Sequence, residues 1–262
     1  MLLNQISWDI SPVIFSLGSL HIRWYGLFFA LSFYLGYVIL EKQVFRREGL
    51  PIGLLDRLAT YVVIGTVVGA RLGHVFFYEP ASYLRDPLSI LKIWEGGLAS
   101  HGAAIGILLA LWIFKRKSGK TYLWTLDRLV IVVALGGFFI RMGNLMNSEI
   151  YGHYTSLPWG FVFLRDGETG PRHPTQIYEA LSYLILFFAL LKYYISNYKK
   201  LKEGFIFGVF LIVLFGVRFL IEFVKEPQVA FEQTMTLNMG QWLSIPFILA
   251  GAGLLWYTNK KK

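Results

Sequence analysis

Seven long apolar runs, separated by short charged connections, set the pattern of the chain: residues 22–40, 56–78, 96–114, 124–142, 176–195, 205–224 and 240–257. Each approaches the roughly 20 residues that an α-helix needs to cross the hydrocarbon of a bilayer. The pattern predicts an all-α polytopic membrane protein with seven transmembrane helices. Residues 1–21 contain Pro12 and few charges, with neither a basic leading segment nor a small-residue cleavage motif, so no removable signal peptide is expected there.

Polar residues inside the runs fall on defined faces. The stretch 136–152 reads GGFFIRMGNLMNSEIYG, and if it is helical, Arg141, Asn144, Ser148, Glu149 and Gly152 share one face. Arg218, Glu222 and Lys225 are spaced at i, i+4 and i+7 near the end of the sixth run. A charge inside a membrane costs about 2.5–3.5 kcal/mol even on the milder insertion scale. Two such Arg and Glu sets therefore point to one shared polar cavity, although Arg218 and Glu222 also have the spacing to neutralise each other.

The second and third runs carry a different message. Gly65, Gly69 and Gly73 recur every four residues and predict a seam for close helix packing. Arg71, His74 and Tyr78 form a stripe on another face, with Arg71 read as a structural arginine. His101 has small neighbours, Gly97, Ser100, Gly102 and Ala103, which leave room for another molecule at its imidazole; the alternative is a hydrogen-bonded core histidine. Trp24 and Tyr25, beside Arg23, fit an interfacial aromatic belt. In RHPTQIYE, residues 172–179, Pro174 suits a first helical turn, with Gln176 and Glu179 just inside it. The loop 153–172 is long enough to serve as a lid or simply to connect.

Composition narrows the class. Of 262 residues, 55% are hydrophobic and 16% charged, too apolar for a soluble core of this length, and the chain reads as one membrane domain, 1–262. There is no cysteine, so any thiol chemistry requires a thiol brought by a partner. The net charge of +9 lies in short clusters: Lys42, Arg46 and Arg47; KRKSGK at 115–120; Lys192, Lys199, Lys200 and Lys202; and Lys260, Lys261 and Lys262. These clusters alternate along the chain, which marks a cytoplasmic side rather than a nucleic-acid surface. The N-terminus is then outside, the C-terminus cytoplasmic, and the 153–172 loop outward-facing. The remaining basic residues are mostly arginines toward the outer half, and arginine suits bidentate recognition of phosphate or carboxylate. The glycine-rich run at 94–106 lacks the GxGxxG spacing of a nucleotide loop, and the scattered histidines suggest no metal site. An anion transporter would carry inverted repeats and broken helices, which are not evident. A GxSxG motif for an intramembrane serine protease is absent.

HIRWYG at 21–26, GARLG at 69–73, WEGGLASHG at 94–102, RMGNLMNSEIYG at 141–152, RHPTQIYE at 172–179, VRFLIEFVKEP at 217–227 and MGQWLSIP at 239–246 resemble, in order and spacing, the bacterial phosphatidylglycerol:prolipoprotein diacylglyceryl transferases. The resemblance covers nearly the whole chain and includes the specific signature RxGNxxNxExxG. It implies an inner-membrane enzyme, without a cofactor, whose partners are phosphatidylglycerol and the lipobox cysteine of prolipoprotein signal peptides. By resemblance, Arg141 and Arg218 match the family's paired arginines and His101 its histidine. Asn144, Glu149 and Gly152 match its signature, Tyr25 its first-helix tyrosine and Glu222 its sixth-helix carboxylate. Ile140 and Ser148 stand where glycine is usual, Ala103 replaces the second glycine after the histidine, and Lys225 stands where arginine is common. The expectation is that Arg141 and Arg218 hold a phosphate, that Asn144, Glu149 and Glu222 fix the arginines, and that His101 takes the thiol proton.

Overall fold

A computed structural model describes residues 5–18, 20–92, 96–227, 232 and 235–260. Trp94 and Glu95 of the WEGG block, and the topology residues Lys261 and Lys262, lie outside these. The chain divides into two compact units, one formed by residues 1–38 and 126–262 and the other by residues 39–125.

The 39–125 unit is built on two helices, α2 (Ile52–Phe77) and α4 (Ser100–Ser118), with the short α3 (Pro80–Arg85) and a 3-10 turn, Pro87–Leu91, between them. The glycine seam packs as its spacing predicts, and its partner is a matching set on α4. A Cβ at Gly65 would lie 2.6 Å from the Gly106 carbonyl oxygen, and one at Gly73 would lie 2.7 Å from Gly102 Cα. Gly69 closes on the Gly102 carbonyl in the same way. Gly102 is therefore occupied by helix packing rather than held open beside His101, which revises the expected reason for its small size. Arg71 is structural, as expected. It is buried on α2 and donates to the carbonyl oxygens of Ser89 (2.6 Å), Ile90 (2.9 Å), Lys92 (3.3 Å), Gly96 (2.6 Å) and Gly97 (3.2 Å), while stacking over Tyr83. One guanidinium thereby ties five backbone carbonyls of this connection to α2.

The larger unit contains five long helices: α1 (Trp24–Ile39), which runs on into a π turn at Leu40–Phe45, then α5 (Tyr122–Met146), α6 (Thr175–Asn197), α7 (Phe205–Ile221) and α8 (Met239–Lys260). At one end, the fully buried Asp127 carboxylate on α5 accepts from the Gly204 and Phe207 amides at 2.6 and 2.8 Å. It supplies the cap that α7's own sequence lacks, and a negative charge suits a helix N-terminus. At the opposite end the chain departs from the all-α expectation. β1 (Ile6–Trp8) pairs in parallel with β4 (Phe161–Phe163), and β2 (Val13–Leu17) forms a hairpin with β3 (Leu20–Arg23). Strands of three to five residues are too short for their alternation to stand out in the sequence. Trp8 Nε1 donates to the Leu145 carbonyl at 3.0 Å and ties β1 to the end of α5.

Among the described residues, six helical segments are long and apolar enough to cross a membrane: Trp24–Phe45, Ile52–Phe77, Tyr122–Met146, Thr175–Lys200, Phe205–Val224 and Met239–Lys260. The chain is a mostly helical, multi-pass membrane protein. The run expected at 96–114 forms α4, whose last turn holds Lys115, Arg116 and Lys117 and so leaves less uninterrupted apolar length.

The glycine seam generates one test. Gly106→Val places a branched side chain against the Gly65 backbone, and overpacking of this kind costs about 1–3 kcal/mol. A clear fall in thermal stability in detergent is expected, and an unchanged melting temperature contradicts the seam.

Candidate active site

The site is assembled where α5 ends, α6 begins and α7 ends. The helical face expected over 141–152 is not continuous: α5 stops at Met146, and Ser148 and Ile150 adopt positive φ. The chain folds back instead, so that Glu149 reaches its partners through a turn. Asn144 Nδ2 donates to Glu149 Oε1 at 2.8 Å, and Asn147 Nδ2 donates to the same oxygen at 3.2 Å. Asn144 Oδ1 in turn accepts from Arg141 Nη1 at 3.0 Å. The amide of Asn144 thus links a carboxylate to a guanidinium, and that charge pattern fixes its orientation.

The direct partner of Arg141 is a residue outside the expected set. Glu179, fully buried on α6, places Oε2 2.6 Å from Arg141 Nε. Its other oxygen lies 3.5 Å from Lys225 Nζ, and Lys225 is 3.4 Å from Glu222 Oε2. Tyr183, one turn further along the buried face of α6, lies close enough to Arg141 to interact with its charge. A signal for this pair was present in the sequence: Gln176, Glu179 and Tyr183 fall at i, i+3 and i+7, on the stripe continued by Phe187, Leu190 and Tyr194. Polar groups on a stripe that otherwise faces the core need buried partners.

Arg218 and Glu222 do not neutralise each other. α7 ends at Ile221 and Glu222 opens a 3-10 turn, Glu222–Val224; its backbone N–H still reaches the Arg218 carbonyl, while its side chain meets Lys225 Nζ instead. Its carboxylate packs against Gly240, where a Cβ would lie 2.5 Å from Glu222 Cδ. Arg218 comes close enough to Tyr183 and Lys225 for their charges to interact. It has no ion-pair partner among the described residues, and its buried Nε has no hydrogen-bond partner. Ser148 Oγ and Gln176 Oε1 are likewise buried without hydrogen-bond partners, and so is Glu179 Oε2, whose contact with Arg141 is ionic.

The remaining expected residues divide. The Tyr25 ring lies against Gly143, where a Cβ would stand 2.7 Å from Tyr25 Cδ2, and it is within electrostatic reach of Glu149 and Arg141. Gly152 contributes backbone. Its N–H donates to the His173 carbonyl at 2.8 Å, and a Cβ there would collide with the Val224 carbonyl, His173 and Thr175. His101 belongs to the 39–125 unit, where its exposed imidazole stacks on Tyr78 and meets the edge of Phe77. The structure therefore brings Arg141, Asn144, Glu149, Tyr25, Arg218 and Glu222 together within one unit, and His101 lies in the other.

Beyond the site, the 153–172 loop is locked by one arginine. Arg172 forms a two-pronged pair with Glu168, Nε to Oε2 and Nη2 to Oε1, both at 2.8 Å; it also donates to Glu226 and sits over the Tyr154 ring. Desolvation, the largest single influence, raises the Glu168 carboxyl. Hydrogen bonds from Arg172, Tyr154 and Tyr151 outweigh it and hold the group below the ordinary carboxylate range. Burial, followed by the nearby His153, lowers the His173 imidazole.

Three cations, Arg141, Arg218 and Lys225, and three carboxylates, Glu149, Glu179 and Glu222, gather at the ends of membrane-spanning helices, and that concentration of charge makes this the candidate functional site of a membrane protein. The comparison with known proteins gives the family. The profile of the prolipoprotein diacylglyceryl transferases matches residues 12–257, and the chain belongs to that family. It is 50% identical to a phosphatidylglycerol–prolipoprotein diacylglyceryl transferase of Tolumonas auensis, over 98% of this chain and 99% of the relative. It is 45% identical to the protein of that name in Chloroherpeton thalassium (98% and 96% covered) and 47% identical to that of Porphyromonas gingivalis (95% and 93% covered).

The loop lock has a defined pH dependence. Because the folded Glu168 carboxyl is depressed, its contribution is complete above the ordinary glutamate value of about 4.3 and is lost as pH falls through the lower folded value. The resistance of the 153–172 loop to limited proteolysis, relative to Glu168→Gln, is expected to hold from about pH 7 to about pH 5 and to fall away only as pH drops below the ordinary glutamate value of about 4.3. A difference that disappears by about pH 5 contradicts the lock.

Proposed function

We propose that this chain transfers the diacylglyceryl group of phosphatidylglycerol to the lipobox cysteine thiol of prolipoproteins. The cysteine sulfur forms a bond to the terminal glyceryl carbon, the bond from that carbon to the phosphate oxygen breaks, and glycerol phosphate leaves while the thiol gives up its proton. The observation that carries this reading is the unpaired Arg218 in the cluster that holds Arg141, in a chain of this family. A departing phosphate ester needs donors aimed at its developing charge, and such donors are most effective when they are fixed beforehand. Arg141 is fixed by Glu179 and Asn144; Arg218 carries a free donor.

In this mechanism Arg141 and Arg218 hold the phosphate of the lipid. Asn144 and Glu149 orient Arg141. Glu222 acts at one remove: it holds Lys225, which balances Glu179. Tyr25 lines the same site across Gly143, and Gly152 lets the 173 and 224 backbones close beneath it. A free thiol has a pKa of about 8.5 and is mostly protonated near neutral pH, so transfer needs a proton acceptor. His101 takes that part, its exposed imidazole being steadied by Tyr78 and Phe77. The chain acts as one integral domain over 1–262 with seven spans in a bacterial inner membrane, α4 being the seventh. The alternating lysine clusters support an N-terminus outside, a C-terminus in the cytoplasm and an outward-facing 153–172 loop.

The reading is tested with the purified protein, phosphatidylglycerol vesicles and a lipobox peptide. Release of glycerol phosphate that requires the peptide's cysteine is expected; uptake of an anionic solute without release contradicts it. Arg218→Ala is expected to lower kcat/KM about 100-fold or more, the scale of losing one donor to a developing anion. His101→Gln is expected to cost about 100-fold, the lower range for general-base catalysis, and near-normal turnover across pH removes His101 from that role.

A further inference from the structure

The turn that leaves α5 holds a backbone its sequence does not favour. Ser148 has φ 55° and Ile150 has φ 61°. Ser148 is the left-handed residue that closes α5, its N–H donating to the Leu145 carbonyl at 3.0 Å and the Glu149 N–H to the Asn144 carbonyl at 3.1 Å. Left-handed backbone is most costly for a β-branched residue, so at Ile150 it persists only where the surroundings impose it. The surroundings are specific. Two of the three carbonyls of the 148–150 turn are held by adjacent side chains from the first turn of α6: Gln176 Nε2 donates to the Glu149 carbonyl at 2.6 Å, and Thr175 Oγ1 donates to the Ile150 carbonyl at 2.9 Å. Both side chains are completely buried.

The strain has a geometric product. Had α5 continued, Glu149 would lie about 7.5 Å further along the axis than Asn144, five residues at 1.5 Å each. The fold-back instead brings its carboxylate to 2.8 Å from Asn144 Nδ2. Asn144 carries that contact to Arg141.

We propose that Thr175 and Gln176 are positioning residues of the transfer reaction: together they clamp the strained 148–150 turn, so that Glu149 braces Asn144 and, through it, Arg141. The inference rests on the transferase reading above. It also extends the functional set to two residues that touch neither the cations nor their carboxylates.

The test compares Gln176→Met and Thr175→Val, each alone and combined with Ile150→Gly, and uses Thr175→Ser as the conservative control. Two readouts are followed: turnover of phosphatidylglycerol with a lipobox peptide, and amide hydrogen exchange of residues 147–152. Each clamp variant is expected to lose about tenfold or more in kcat and to exchange about tenfold faster in that segment, the scale of releasing one strained residue. Thr175→Ser keeps the hydroxyl and is expected to retain the wild-type rate. Because glycine adopts positive φ without steric cost, Ile150→Gly is expected to restore much of the lost kcat. The proposal is overturned if Gln176→Met turns over at the wild-type rate, if exchange in 147–152 is unaffected, or if Ile150→Gly rescues nothing. A wild-type protein with no cysteine-dependent release would instead strike at the transferase reading, while the exchange measurement would still decide whether the clamp exists.

Discussion

One carboxylate organises the polar interior. Glu179 is completely buried and stands between Arg141 on one oxygen and Lys225 on the other. A buried carboxylate without cations would be several kcal/mol too costly to keep ionised, and two buried cations without it would repel each other. Each of the three makes the others tolerable. The arrangement is paid for by apolar helices that leave Glu179 no water to turn to, so its charge is available only to its two partners. Lys225 then shares its charge with Glu222, and Arg141 is steadied on its far side by Asn144.

Helix ends decide where this network sits. α5 finishes at Met146, α6 begins at Thr175 and α7 gives way at Ile221, and each contributes polar residues within about two turns of that end. Backbone groups are already unsatisfied at helix termini, and they are taken up locally: Gln176 and Thr175 hold the carbonyls of the turn after α5, and the Gly152 amide reaches His173. The outer loop adds its own lock through Arg172 and Glu168. Ion pairing inside the bundle and hydrogen bonding above it therefore support one another, while Arg218 is left with a donor to spare.

Much of this was legible in the sequence. The length of the apolar runs reveals the spans, and the four-residue spacing of Gly65, Gly69 and Gly73 reveals a seam, because both signals are local and periodic. The identity of Arg71 as structural could be weighed from its position alone. The polar cluster around Arg141 and Arg218 was visible because arginines within apolar runs are expensive. What the sequence left open was pairing. Arg141 takes Glu179 from another helix in preference to any carboxylate near it in the chain, and Glu222 pairs with Lys225, three residues on, in place of Arg218, four residues back. The end of α5 was hidden as well, since neither Ser148 nor Ile150 carries the signature of a left-handed turn. The three-residue strands gave no alternation to read, and the packing role of Gly102 required knowledge of its partner helix.

Under the proposed function, Glu179 fixes Arg141 for work on the lipid phosphate. The most direct measurement is a double-mutant cycle on kcat/KM with Glu179→Gln, Arg141→Lys and the double variant, in a protein shown to remain folded by its melting curve. Residues in direct ionic contact are expected to couple by about 1 kcal/mol or more, so the double variant should lose much less than the sum of the two single losses. Strictly additive losses would mean that the two side chains act independently, and would contradict the account.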